Sequence, residues 1–134
     1  MNLKTTSRPR CEKAIVVGAG IAGLLAVRVL ADRFSQVTLL DRDVLPASAI
    51  PRAGVPQSYH LHALLPRGLQ IIEAFFPGLS VEMQIAGATA FDVGKDIAWL
   101  TPQGWGVQTK AGLPGLSSTR SLLEYTIRRR VEAL

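Results

Sequence analysis

The sequence is poor in the residues that build disulfide frameworks and metal centres. It contains one cysteine, Cys11, and two histidines, His60 and His62, among 134 residues. A single thiol excludes an intramolecular disulfide and a zinc ribbon, because both need several cysteines. The histidines stand two residues apart without a cluster of carboxylates or thiols, so we expect no metal site. A chain with one cysteine fits a reducing compartment, and a cytoplasmic location is expected.

Aromatic residues and long apolar runs are also scarce. Aromatic residues form 6% of the chain and do not alternate with basic ones, so nucleic-acid binding is not expected. The uncharged stretch at residues 14–27 ends at Arg28. A membrane span needs about 20 apolar residues, so we expect none here. Three glycines inside the stretch also distinguish it from the core of a signal peptide.

Acidic residues are outnumbered by basic ones, 10 to 15, which gives a formal net charge of +5. The positive charges concentrate near the ends, in a basic flexible lead over residues 1–13 and in the arginines at 128–130. We interpret both groups as solvated flanks. Hydrophobic residues form 48% of the chain, which is enough for a core. A single folded domain over residues 1–134 is therefore expected.

Residues 14–41 contain a strand, a glycine-rich turn, a helix, a second strand and an acid, in that order. Residues 14–17 are typical of a strand buried on both faces of a parallel sheet. The segment 18–23 reads Gly-x-Gly-x-x-Gly and leads into an apolar helix that ends before Ser35. Residues 37–40 predict the second strand, with Asp41 at its carboxyl end. The sequence therefore predicts an α/β fold with a Rossmann-like βαβ unit that binds FAD or NAD(P).

The glycines of this unit have separate physical roles. Gly18 permits a tight turn, Gly20 lets a diphosphate approach the backbone, and Gly23 lets helix and strand pack closely. Asp41 follows at the distance where a carboxylate accepts hydrogen bonds from ribose hydroxyls. Its charge disfavours the 2′-phosphate of NADP, although Arg42 keeps that alternative open. These residues predict a dinucleotide site and leave FAD and NAD both open.

Two later segments give the chain a family resemblance. Residues 52–55 read Arg-Ala-Gly-Val, and residues 118–124 read Ser-Thr-Arg-Ser-Leu-Leu-Glu. With the glycine fingerprint and the Asp-Arg pair at 41–42, they make the chain resemble the amino-terminal part of FAD-dependent oxidoreductases of the group A flavoprotein monooxygenase (aromatic hydroxylase-like) superfamily. Halogenases and reductases are relatives of this group. The resemblance implies an FAD cofactor, with NAD(P)H as the reductant in a complete member.

The resemblance also assigns two arginines to the cofactor site. It implies that Arg52 lies against the cofactor and that Arg120, at the start of a helix, reaches its phosphate region. The chemistry agrees, because a guanidinium fork suits a diphosphate. Ser121 and Glu124 have the spacing of a capping box, which predicts a helix start beside Arg120.

The remaining segments predict supporting structure. Pro66 predicts either the start of a helix or a kink in it. Residues 81–110 are expected to form a β-rich insertion, a small antiparallel unit beside the main sheet, and residues 119–134 a final helix. Gln57 or a histidine is a candidate for the flavin edge. Trp99 and Trp105 are expected either to cover the core or to line a substrate cavity.

The resemblance further implies that the chain is incomplete. Family members are several times longer, and a later Gly-Asp cofactor motif and most of the substrate domain have no counterpart here. We expect an amino-terminal fragment, a truncated gene product, or half of a split enzyme completed by a complementary chain. The predicted function is the FAD-binding portion of a monooxygenase-like oxidoreductase that acts on a small organic substrate, with no assignable catalytic side chain. An NAD-binding oxidoreductase fragment and a non-catalytic dinucleotide-binding module remain the alternatives.

Overall fold

The computed structural model describes residues 11–134. It opens with strand β1 (Cys11–Val17), helix α1 (Ile21–Ala31) and strand β2 (Phe34–Leu40). The two strands pair in parallel, with Val17 opposite Leu40. Most of the basic lead expected over residues 1–13 lies outside the described residues, but its last three residues belong to β1. The elements follow the order strand, helix, strand that the sequence predicts, within a mixed α/β chain.

The rest of the chain builds an antiparallel sheet with helices around it. This sheet has three strands in the order β3 (Leu61–Leu64), β7 (Pro114–Thr119) and β4 (Thr89–Asp92). A short hairpin pairs β5 (Leu100–Thr101) with β6 (Gly104–Trp105). The other elements are a 3₁₀ helix (Pro56–Tyr59) and helices α2 (Pro66–Phe75), α3 (Leu79–Ile85) and α4 (Arg120–Glu132). Pro66 begins α2, as its fixed φ predicts.

The hydrophobic core connects the two halves of the chain. Leu24 of α1 packs among residues of all three later helices and of β7, and it is completely buried. The other fully buried large side chains are Leu79, Met83, Leu116 and Ile127. Because α1 and α4 share this core, the start of α4 is fixed relative to the glycine turn that precedes α1.

The β-rich insertion predicted over residues 81–110 was wrong in its first part. Residues 81–85 complete helix α3, and regular strands are confined to β4 and the short β5–β6 hairpin. β4 pairs with β7, so it belongs to the three-stranded sheet. The helix forms because Leu79 and Met83, four residues apart, both enter the core.

The start of α4 differs from the expected capping box. Thr119 is the N-cap residue, and its hydroxyl accepts a hydrogen bond from the Leu122 N–H at 3.1 Å. Ser121 lies inside the first turn, and Glu124 turns toward another part of the chain. The predicted helix is present, but a different residue caps it.

The parallel β1–β2 pair is covered on one face only. Val16 is buried beneath α1, whereas Ile15 and Val17 are 66% and 83% exposed. The strand was expected to be buried on both faces, and that expectation was wrong for this chain. β1 therefore presents an apolar face to solvent. Among the described residues, no helix is long and apolar enough to span a membrane.

Asp92 closes the long excursion between β4 and β7. One carboxylate oxygen accepts hydrogen bonds from the N–H groups of Gly94, Lys95 and Ala111, and the other accepts from Leu113. These bonds, led by that from Ala111, outweigh desolvation and lower the pKa of Asp92 to about 2. A single side chain therefore joins the two ends of the segment 93–113.

Candidate functional site

The glycine turn between β1 and α1 has the geometry that the sequence predicts. Gly18 has a φ of 101°, which favours glycine, and its N–H donates to the Leu40 carbonyl at 2.7 Å. A Cβ on Gly23 would lie 1.7 Å from the carbonyl oxygen of Gly18. The helix and the turn therefore touch backbone to backbone, which only a residue without a side chain permits at this position.

Gly20 leaves space at the amino terminus of α1. A Cβ built on it would meet no described protein atom within 4 Å. Gly20 is the N-cap of α1, no side chain caps the helix, and its first turn contains no acidic residue. The first N–H groups of the helix and the positive end of its dipole therefore favour an anion at this position.

Asp41 at the end of β2 is tied to the glycine turn. Its Oδ2 accepts a hydrogen bond from the Ala19 N–H at 2.6 Å, and its Oδ1 accepts from Asp43 N–H at 2.8 Å. The bond from Ala19, the bond from Asp43 and the charge of Arg52 lower the pKa of Asp41 against the effect of burial. A carboxylate has about four acceptor positions, and Arg52 takes a third. One position remains for a hydroxyl donor.

Arg52 lies at the centre of a buried ionic cluster. Its Nε donates to Glu124 Oε1 at 2.7 Å, and its Nη1 lies 2.9 Å from Asp43 Oδ2 and 3.3 Å from Asp41 Oδ1. Desolvation opposes the charge, but the bonds to Glu124 and Asp43 prevail and raise the pKa of Arg52. Sequence reasoning placed Arg52 here but missed these carboxylate partners.

The other two predicted arginines are less constrained. Arg120, the first residue of α4, has its Nε 3.6 Å from Glu124 Oε2. Both atoms are buried, and neither has a hydrogen-bond partner within the described part of the chain. The side chain of Arg42 is 83% exposed and lies 3.8 Å from Asp43. These two arginines therefore retain donor capacity for a ligand.

A cavity of about 520 Å³ brings most of these residues together. It lies at the carboxyl ends of β1 and β2, and Gln57 from the 3₁₀ helix also lines it. The residues predicted from the sequence that line this cavity are Gly18, Gly20, Asp41, Arg42, Arg52 and Arg120. Gly23 does not line the cavity. It allows α1 to pack closely against the glycine turn.

Several other candidates lie elsewhere. Neither His60 nor His62 lines the cavity, and the same holds for Trp99 and Trp105, which are largely exposed on the hairpin. In the range 11–134, no group of three or more His, Cys, Asp or Glu side chains is arranged to hold a metal ion.

Asp43 and Glu124 are the partners of Arg52 that sequence reasoning missed. Each carries a weak local signal, because Asp43 stands two residues after Asp41 and Glu124 four after Arg120. The second spacing is typical of an ion pair on one helix face. The contact between Glu124 and Arg52 crosses 72 residues of sequence, so no local pattern indicates it.

Comparison with known proteins gives partial matches. No protein-family model matches the chain. It is 40% identical over 124 residues to Protein Rv3254 of Mycobacterium tuberculosis, covering 90% of this chain and 26% of that protein. A segment of 43 residues is 46% identical to the L-amino-acid oxidase of Mus musculus, covering 32% of this chain and 6% of the oxidase. The chain thus spans about a quarter of the length of the mycobacterial relative.

The fold is also similar to part of a solved enzyme. The tetrameric form of 2-methyl-3-hydroxypyridine-5-carboxylic acid oxygenase matches with a TM-score of 0.62 and 23% sequence identity. The match covers 93% of this chain and 30% of the oxygenase chain. This chain therefore shares its mixed α/β fold with a portion of an oxygenase.

Proposed function

We propose that this chain is the FAD-binding portion of a flavin-dependent oxidoreductase, most similar to a monooxygenase that acts on a small organic substrate. The observation that carries the proposal is the cavity at the glycine turn. The uncapped start of α1, the clearance above Gly20, and the side chains of Asp41 and Arg120 all meet there. This combination suits a ligand with both a diphosphate and a ribose.

The residues present fit the diphosphate-bearing half of FAD. A volume of about 520 Å³ lies within the range of small-molecule sites, about 300–1,000 Å³. The positive end of α1 favours an anion, Arg120 lines the same cavity, and Asp41 has one acceptor position for a ribose hydroxyl. When bound, FAD would supply the redox chemistry, and this chain would supply binding and orientation. NAD(P)H is the proposed reductant of the complete enzyme.

The names of the similar proteins favour FAD over NAD as the ligand. One is an amino-acid oxidase and another an oxygenase, and both names describe oxidative chemistry. The Rossmann-like assignment, the cytoplasmic location and the roles of the site residues are part of the same proposal.

A non-catalytic dinucleotide-binding module is the second candidate function. The exposed apolar face of β1, with Ile15 and Val17, favours a chain that is completed by additional polypeptide. A complementary segment that covers this face would supply the substrate site. Without it, the chain would bind a nucleotide without turning over a substrate.

The test is retention of flavin by the purified chain of residues 1–134. After incubation with FAD and desalting, wild type should retain flavin, whereas Gly20→Glu should lose it because the new carboxylate fills and repels the diphosphate position. Ala74→Glu places the same side chain on the exposed face of α2 and serves as the matched control. Far-UV circular dichroism should show all three proteins folded. Binding of NADH without binding of FAD would establish the NAD alternative instead.

A further inference from the structure

We propose that the cleft between loop 45–58 and helix α4 is a binding site for one ordered water molecule, which joins the 3₁₀ helix to the start of α4. The cleft is distinct from the open cavity described above, although the two share some wall residues. This site uses only polar groups of the chain and does not depend on which nucleotide the chain binds.

Four buried polar atoms without a partner meet at this cleft. Within the range 11–134, the buried side-chain atoms that have no hydrogen-bond partner are Ser58 Oγ, Arg120 Nε, Ser121 Oγ and Glu124 Oε2. All four residues line the cleft, and Ser58, Ser121 and Glu124 are only 7% to 9% exposed. A buried polar atom without a partner destabilises the folded state. Four such atoms at one place therefore indicate a ligand that they share.

The size of the cleft limits this ligand to one very small molecule. Its volume is about 10 Å³, and a site for one water molecule needs about 10–15 Å³. Leu45 and Val55 provide apolar wall, and Arg128 lines the cleft while its guanidinium donates to the carbonyl of Pro46. A phosphate group or an organic molecule is therefore too large for this space.

The four atoms also require a ligand that both donates and accepts hydrogen bonds. The Nε of Arg120 can only donate, the carboxylate of Glu124 can only accept, and each serine hydroxyl can do either. An anion would leave Glu124 without a donor, and a cation would leave Arg120 without an acceptor. These two atoms lie 3.6 Å apart, which is too far for a direct hydrogen bond but close enough for both to bond one water. Water, with two to four partners, satisfies the whole set.

The water connects parts of the chain that are distant in sequence. Ser58 belongs to the 3₁₀ helix, and the other three residues belong to the first turns of α4. Arg52 donates to the other oxygen of Glu124, Oε1, at 2.7 Å, so the water completes the hydrogen bonding of that carboxylate. Arg52 and Arg120 line the open cavity as well as the cleft. The water therefore helps to fix the wall that the two spaces share.

Magnetic relaxation dispersion of the solvent tests the site in solution, because it counts long-lived internal water molecules. The double variant Ser58→Ala/Ser121→Ala should show one internal water fewer than wild type, because it keeps only two of the four partners. Ser118→Ala removes a hydroxyl that donates to the Thr119 carbonyl outside the cleft, and it should keep the wild-type count. Equal counts in wild type and the double variant would overturn the inference.

Urea unfolding of the single variants tests the bridge independently. Since neither serine hydroxyl has a partner in the described part of the chain, the two are not bonded to each other, and coupling between them passes through the water. The double variant should therefore lower the urea midpoint by less than the sum of the shifts for Ser58→Ala and Ser121→Ala. Additive shifts would contradict the bridge.

A high-resolution crystal structure of the chain gives the direct test. One density peak should lie within about 3.2 Å of at least three of the four atoms. Direct hydrogen bonds among the four side chains would overturn the inference. Anomalous scattering at the same position after a bromide soak would do so too, because it would show an anion site.

Discussion

Replacing Gly23 by alanine would insert a methyl group between α1 and the glycine turn. The new Cβ would lie 1.7 Å from the oxygen and 2.9 Å from the carbon of the Gly18 carbonyl. Ordinary contacts between carbon atoms are about 3.5–4.0 Å, so the helix and the turn must separate. Both carbonyl atoms belong to the backbone, and neither can rotate aside as a side chain would.

The expected cost follows from two opposing effects. Overpacking costs about 1–3 kcal/mol, and a clash between backbones belongs at the upper end. Replacing glycine by alanine inside a helix stabilises the folded state by about 1 kcal/mol. A net loss of about 2 kcal/mol in the free energy of unfolding corresponds to a Tm about 8 °C lower for a domain of this size.

Gly68→Ala is the matched control, because Gly68 holds the same third position in α2 that Gly23 holds in α1. Its Cβ would lie 3.8 Å from a methyl group of Leu64, an ordinary contact. Gly68→Ala should therefore leave the Tm unchanged or raise it by a few degrees. Thermal unfolding followed by far-UV circular dichroism measures both variants. Equal Tm values for the two would refute the claim that Gly23 is required by close packing.

Two further predictions concern stability. The lowered pKa of Asp92 means that its stabilisation is complete above about pH 4, the ordinary range of the group, and is lost as the pH falls toward 2. In urea unfolding from pH 5 to pH 2, the difference in the free energy of unfolding between wild type and Asp92→Asn should therefore shrink as the pH falls. A constant difference would contradict the role of Asp92 in joining the two ends of segment 93–113. Thr119→Ala removes the cap of α4 and should cost about 1 kcal/mol, measured by urea unfolding at pH 7. Ser118→Ala, beside the cap, should cost less, and equal losses would contradict the assignment.

The sequence predicted the parts of the site that depend on neighbours along the chain. The spacing of Gly18, Gly20 and Gly23 indicates a strand, a turn and a helix, and these elements have the expected order. Pro66 marks a helix start for the same local reason, since its fixed φ suits the first turn. Arg120 was also placed correctly at the start of a helix.

The features that the sequence did not predict depend on distant contacts. Helix α3 has Gly78 before it, and the carboxylate of Glu73 accepts hydrogen bonds from the N–H groups of Gly78 and Ser80. Its apolar residues then meet a core formed by α1 and α4, which no local alternation reveals. In the same way, the pairing of Arg52 with Glu124 requires that two segments far apart in sequence meet.

The bonds of Asp92 to both ends of segment 93–113 also indicate where the chain accepts an insertion. The carboxylate of Asp92 binds backbone N–H groups at both ends of segment 93–113 and so closes the segment into a ring. These bonds connect β4 and β7 to the ends of the segment and not to its interior. They do not involve the residues at the tip of the segment. The hairpin tip around residues 101–104 is therefore a natural insertion point, where an affinity tag or a reporter peptide could be introduced without disturbing the sheet.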